Sequence, residues 1–248
     1  MRLLPSLHAN ANVAVIGASG GIGRGFVELL AADSEVQNVY AFSRSPVHWP
    51  AANVHDHRID IVDEASIENA AAMASANGPL DLVIVASGIL HRDPVIQPEK
   101  SLSDLNSRAL TDVLAVNTIG PALAGKHFLP KLRRKHKTVF AALSARVGSI
   151  NDNRLGGWAS YRMSKAALNM FVRTASIEQS RSLPESVVVA LHPGTVETAL
   201  SCPFTRRLDS RKLFSPTNAA RQLLHVIDEL KPAHSGGFFA YDHARIDF

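Results

Sequence analysis

A single cysteine, Cys202, leaves no intramolecular disulfide to form, and no Cys/His grouping in the 248 residues has zinc-ligand spacing. No metal is therefore expected. No run approaches the ~20 apolar residues of a bilayer span. Met1 to Asn12 holds one arginine and no long apolar stretch, unlike a signal peptide. The expectation is a soluble, cytoplasmic protein with no membrane partner. Repeats, low-complexity tracts and interdomain linkers are missing too. Charged residues are few, 19% against 46% hydrophobic, a globular balance that argues against disorder.

The net charge is only +4. Its one basic cluster, Lys131, Arg133, Arg134, Lys135 and Lys137, ends an apparent helix, where cations suit the dipole. Without interleaved aromatics it does not read as a nucleic-acid surface, so no nucleic-acid partner is expected. The eleven histidines are dispersed. His55 and His57 alternate on a predicted strand and read as half-exposed side chains rather than ligands.

What is present is a regular alternation. Apolar runs predict strands at Asn12 to Gly17, Val39 to Ser43, Val54 to Ile59, Leu82 to Ala86, Thr138 to Leu143, Ser186 to Leu191 and Gly237 to Tyr241. Helical spacing occupies Gly21 to Ala32, Ala65 to Ala76, Leu105 to Lys135, Trp158 to Ser180 and Pro216 to Leu230. Pro121 and Pro130 mark a boundary or kink in the third, and Ser215 is a plausible N-cap of the last. Most strands are apolar throughout, as in a parallel sheet covered on both faces. The expectation is one doubly wound, Rossmann-type α/β domain over residues 1–248.

Gly17-Ala18-Ser19-Gly20-Gly21-Ile22-Gly23 falls between the first strand and the first helix. Glycines there permit a tight turn, and the helix N-terminus offers free N–H groups to a pyrophosphate. The second strand ends at Ser43-Arg44 with no acid to meet an adenosine ribose. A guanidinium there favours NADP(H) over NAD. Asp60, after the third strand, reads as an adenine neighbour or a turn residue. Tyr161 and Lys165, four apart on a helix, share a face about 5–6 Å apart at Cβ. A neighbouring cation is expected to lower the phenol's pKa toward service as an acid/base.

Taken with Ala86-Ser87-Gly88, Val116-Asn117, Ser144 to Ile150 and His192 to Thr198, these stretches resemble the short-chain dehydrogenase/reductase family over nearly the whole chain. The likeness is to a subgroup like the C-factor and sniffer-type carbonyl reductases. It implies hydride transfer between a nicotinamide and a carbonyl or alcohol carbon, with Tyr161 as general acid/base. It also implies that Lys165 holds the nicotinamide ribose, that Asn117 holds a relay water, and that Ser144 orients the carbonyl. Ser87, Gly88, Pro193, Gly194, Val196 and Thr198 would join the glycine turn around the cofactor. The chain departs from the family at Ile16, where Thr is usual, and at Val85-Ala86-Ser87-Gly88, where Asn-Asn-Ala-Gly is usual. The family's active-site serine aligns with Ala145; Ser144 is taken in its place, with Ser149 in reserve.

Residues 195–214 suggest a lid, with Leu200, Phe204, Leu208, Leu213 and Phe214 among Arg206, Arg207 and Arg211. Leu155 and Trp158 are candidates for the opposite wall, Trp158 equally for ordinary packing. An apolar aldehyde or ketone is favoured, and the arginines keep an acidic one open. Competing readings are an NADP-binding signalling protein with little turnover, a nucleic-acid-binding relative, and an epimerase or dehydratase. Analogy implies a homodimer or homotetramer paired through the Tyr161 helix or the one before it.

Overall fold

The computed structural model describes residues 2–205 and 213–248. Seven parallel strands form one sheet: β1 (Ala11–Ile16), β2 (Val36–Ser43), β3 (Val54–Arg58), β4 (Leu82–Val85), β5 (Thr138–Leu143), β6 (Ser186–His192) and β7 (Phe238–Ala240). Their order is β3-β2-β1-β4-β5-β6-β7. The chain turns from one half of the sheet to the other between β1 and β4, the crevice where such sheets take ligands.

β1, β4 and β5 are buried at every position. Successive side chains point to opposite faces. Val13 and Val15 therefore join one core with Phe26, Leu30, Leu223 and Ile227 of helices α1 (Gly21–Ala31) and α7 (Pro216–Glu229). Ala14 and Ile16 join the other core, with Ile67, Phe128 and Leu168. Those three lie on α2 (Glu64–Ala74), α4 (Gly120–Phe128) and α5 (Ala159–Ser182). Burying an aliphatic or aromatic side chain of this size contributes about 1.5–3 kcal/mol. The edge strand β3 is only half-buried. There His55 and His57 lie against the Tyr40 ring, and burial lowers the His57 pKa.

The region read as helical over 105–135, with a boundary or kink marked by Pro121 and Pro130, is broken near both. It holds α3 (Ser107–Leu114), a π-turn at Ala115–Ile119, α4, and a 3₁₀ turn at Leu129–Lys131. Pro121 lacks the N–H that would bond the Asn117 carbonyl in a regular helix. The wider turn forms instead, with the Gly120 N–H reaching back to Ala115 O. A short helix, α6 (Cys202–Thr205), lies after β6.

The basic cluster does more than decorate a helix end. Arg133 Nε and Nη2 donate to the fully buried Asp81 carboxylate at 2.6 and 3.1 Å. Lys137 Nζ donates to the Ile227 and Asp228 carbonyls at 2.9 and 2.6 Å, near the end of α7. Burial brings that ammonium down to about 8.

Candidate active site

The strand ends at one edge of the sheet deliver the site's residues. Gly17 leaves β1 with φ +90°, and a Cβ there would lie 2.7 Å from Ser87 N. A Cβ on Gly23 would lie 2.1 Å from Gly17 O. Only glycine allows this turn to close so tightly. Gly20 is the N-cap of α1 and offers no side chain to its first N–H groups, while Ser19, Gly20 and Gly21 are exposed and Ile22 half-buried. These are the features of an open anion site. Thr198, from the loop after β6, has its methyl group 2.9 Å from where a Gly21 Cβ would stand. The glycine turn and that loop therefore face one another.

Arg44 is exposed just past β2 and makes no ion pair among the described residues. The same loop carries Trp49, whose ring lies 5.1 Å beneath the Arg24 guanidinium. Sequence reasoning missed this second cation; its place four residues after Gly20 was the available signal. Ser43 donates its hydroxyl to Ser45 O at 2.5 Å. Asp60 follows β3, and its Oδ1 accepts the Val62 N–H at 3.1 Å.

Beyond β4, the Ser87 hydroxyl is buried and, among the described residues, has no hydrogen-bond partner. Gly88 is exposed, and a Cβ on it would sit 3.5 Å from Asn117 Oδ1 and 3.8 Å from Lys165 Nζ. Asn117, fully buried in the π-turn, accepts the Ile89 N–H and donates to Ile89 O, both at 2.8 Å. It also donates to Ser164 Oγ at 3.1 Å. Ser164 donates in turn to Tyr161 O at 2.8 Å, and Thr118 Oγ1 donates to Ser164 O at 2.7 Å. Ser164 ties the π-turn to α5, a role that helical spacing alone did not single out.

Lys165 is buried, and its ammonium donates to Leu143 O at 2.8 Å. It lies 5.8 Å from the Tyr161 ring centroid, over the ring. Among the described residues the Tyr161 hydroxyl has no hydrogen-bond partner. The expected acidification is not what this arrangement produces. Burial pushes the phenol up to about 12 and the ammonium down to about 8. The amine is bonded to a strand carbonyl and sits over the ring, so desolvation outweighs its attraction for a phenolate.

Ser144 is not presented to the site. It is 4% exposed and donates to Asn169 Oδ1 at 2.8 Å beneath α5. Strand alternation explains this: the side chain after Leu143 turns inward, and the next residue, facing the other way, is Ala145. Asn169 was also missed, being one helical turn beyond Lys165. Ser149 is buried too, accepting the Asp152 N–H at 3.1 Å. At the end of β6, burial and Arg146 push the His192 imidazole down to about 4, and its Nδ1 accepts the Arg146 N–H at 3.4 Å.

Pro193 and Gly194 follow. Gly194 has φ +76°, and a Cβ there would lie 2.9 Å from both the Phe214 and Tyr241 rings. Val196 is buried and bridges to Phe214. The Thr198 hydroxyl lies 3.3 Å from Ser201 Oγ. Within the segment expected as a lid, Phe204 packs on Trp158 at 5.1 Å and on His91 at 5.6 Å. Leu200, Leu213 and Phe214 are half-buried. Arg206, Arg207, Leu208 and Arg211 lie outside the described residues. Trp158 also meets Tyr161, at 6.4 Å. Leu155 is 93% exposed and forms no wall.

The described residues include no helix long and apolar enough to cross a membrane. The sequence profile described as short chain dehydrogenase matches residues 11–208. C-signal of Myxococcus xanthus is 35% identical over 170 residues, covering 68% of this chain and 93% of its own length. A 1-hydroxy-2-glutathionyl-2-methyl-3-butene dehydrogenase of Rhodococcus sp. is 33% identical over 181 residues, 73% of this chain and 74% of its own. Among solved structures, an NADPH-bound carbonyl reductase from chicken fatty liver superimposes with a TM-score of 0.83 at 28% identity, covering 98% and 97% of the two chains. The carbonyl reductase Sniffer of D. melanogaster shares the fold, with a TM-score of 0.82 at 23% identity, covering 97% of this chain and 100% of its own.

Proposed function

We propose that this chain, which belongs to the short-chain dehydrogenase family, is an NADP(H)-dependent oxidoreductase that interconverts an apolar aldehyde or ketone with its alcohol. The observation that carries this reading is the Tyr161 hydroxyl, unpartnered among the described residues and one helical turn from buried Lys165, with Asn117 tied to the same helix through Ser164. The NADPH-bound state of the chicken carbonyl reductase supports the cofactor. So do the glycine turn, which admits no Cβ at Gly17 or Gly23, the uncapped α1 N-terminus and the Ser87 hydroxyl, buried without a partner among the described residues.

When bound, the nicotinamide supplies or accepts the hydride. The glycine loop and start of α1, Ser19 to Gly23, would take the pyrophosphate. Arg44, with Arg24 nearby in sequence to the turn, would meet the 2′-phosphate. Ser87, Gly88, Pro193, Gly194, Val196 and Thr198 would line the rest, and Lys165 would exchange its Leu143 carbonyl for ribose hydroxyls. A phenol near 12 holds its proton at neutral pH, so Tyr161 enters carbonyl reduction as the general acid. The Lys165 charge, retained below about 8, stabilises the phenolate left behind. Asn117 braces the π-turn through Ile89 and Ser164, and Pro121 denies its carbonyl a helical donor, leaving it suited to hold a relay water. Ser144 supports the site from below, through Asn169, rather than touching the carbonyl.

The cofactor assignment has a direct test. Arg44→Asp should weaken NADPH binding by about 1–3 kcal/mol, the worth of a charge-assisted contact, while NADH binding holds or improves. Titration of both cofactors reads the ratio, and an unchanged ratio removes Arg44 from the phosphate site. Activity itself is tested with NADPH and a panel of aldehydes and ketones. The inward Ser144 and the likeness to C-signal favour one second reading, an NADP-binding signalling protein with little turnover; a panel without any turnover would select it.

Met163, Met170 and Ile177 recur every seven residues on α5 and are 51%, 67% and 48% exposed. That apolar stripe suits the expected pairing of two copies as a dimer or tetramer. Met170→Lys should then shift sedimentation toward the monomer. A wild-type protein that already sediments as a monomer would end the pairing idea.

A further inference from the structure

Three consecutive residues ahead of α5 are left-handed: Gly156, Gly157 and Trp158, with φ of +63°, +67° and +51°. Glycine adopts this conformation freely, whereas a tryptophan Cβ crowds the following carbonyl oxygen. Such residues persist where their surroundings over-determine them. Here they are held from two sides. Glu99, from the loop after β4, is 4% exposed. Its backbone O accepts the Trp158 N–H at 2.6 Å, and its Oε2 accepts the Ser160 N–H at 3.2 Å. Its other carboxylate oxygen takes the Ser160 hydroxyl. From the far side Arg162 donates to Gly157 O at 2.9 Å, Gly156 O at 3.1 Å and Val147 O at 3.2 Å.

A carboxylate thus takes the donors that follow the turn, and a guanidinium takes the turn's acceptors. Among the described residues Glu99 makes no ion pair, and its carboxylate lies against the N-terminal, positive end of α5. Starting a helix does not require this arrangement. A serine or aspartate N-cap would do so without a left-handed tryptophan. What the strained turn achieves is placement: the Trp158 indole stands edge-on to the Tyr161 ring at 6.4 Å and to Phe204 at 5.1 Å.

We propose that Glu99 and Arg162 are positioning residues that clamp a left-handed turn, so that Trp158 forms a specificity-determining wall for flat, aromatic carbonyl substrates beside Tyr161. This deepens the carbonyl-reductase reading and rests on it. Aromatic packing of this kind separates substrates by about 2–10-fold.

The test compares wild type, Trp158→Leu and Glu99→Gln in NADPH-dependent reduction of benzaldehyde and of hexanal. Both variants should lose that factor in kcat/KM for benzaldehyde relative to hexanal, chiefly through KM. An equal loss for both aldehydes would mean that the clamp serves stability alone, and an unchanged ratio would remove Trp158 from the wall; either overturns the proposal. Arg162→Lys, which keeps the charge but not the fork, provides the same comparison should Glu99→Gln fail to fold. Fluorescence in a Trp49→Phe background supplies a readout without turnover. Acetophenone should quench Trp158 emission, and Glu99→Gln should weaken that quenching. A wild type that reduces neither aldehyde yet shows this quenching would sink the activity alone, whereas no quenching by acetophenone would sink the wall.

Discussion

Tyr161→Phe should lower kcat by about 10²–10⁴-fold, the scale of a lost general acid, while NADPH binds as before. The substitution removes one oxygen that has no hydrogen-bond partner among the described residues. The ring contacts with Trp158 and the Lys165 ammonium survive it. Folding therefore loses nothing, and the change falls on the proton that the developing alkoxide needs. Steady-state kinetics with fluorescence titration of NADPH separates the two effects. A parallel loss of cofactor affinity would mean that the phenol holds ligand rather than moving a proton. The pH profile adds a second check. Tyr161, near 12, is protonated throughout the working range, whereas Lys165, near 8, is not. Carbonyl reduction should accordingly fall as pH rises through about 8, as the ammonium loses the charge that steadies the phenolate. A flat profile from pH 7 to 9 would exclude Lys165 from that part.

The largest expected effect on stability lies far from the chemistry. Arg133→Met should cost about 3–5 kcal/mol, because it strands the Asp81 carboxylate, which is fully buried, without its guanidinium. The remaining partner, the Asn12 N–H at 2.9 Å, is a single neutral donor. Urea denaturation measures the loss. Adding Asp81→Leu should recover part of it, since the charge is then gone and only the Asn12 N–H is left unpaired. If Arg133→Met costs no more than the ~0–1 kcal/mol of a surface pair, the bidentate contact contributes little.

The sheet was legible because buried parallel strands must be apolar at every position. Val13 to Ile16, Leu82 to Val85 and Val187 to Leu191 satisfy that condition without reference to any distant residue. The glycine turn was legible for a similar local reason, since steric exclusion at Gly17 and Gly23 acts between neighbours along the chain. Over 105–135 the helical character and its proline breaks were legible, but the π-turn was not, because periodicity does not reveal which carbonyl loses its donor. Pro121 signalled a break, yet the π-turn around Asn117 depends on Ile89 and Ser164, which arrive from elsewhere in the chain. Ser144 was misjudged because alternation beyond Leu143 turns its side chain beneath α5, where Asn169 accepts its hydroxyl.

The linear order of residues by itself determined a parallel sheet, a dinucleotide-type turn and a Tyr-Lys pair on one helical face. Each of these follows from periodicity or from local steric exclusion. Folding in three dimensions decided the electrostatics. The phenol is raised rather than lowered, Lys165 is bonded to Leu143, Asp81 is neutralised by Arg133, and Glu99 is buried at the start of α5. These outcomes depend on which groups lose water and which partners replace it, and both are set by residues far apart in sequence.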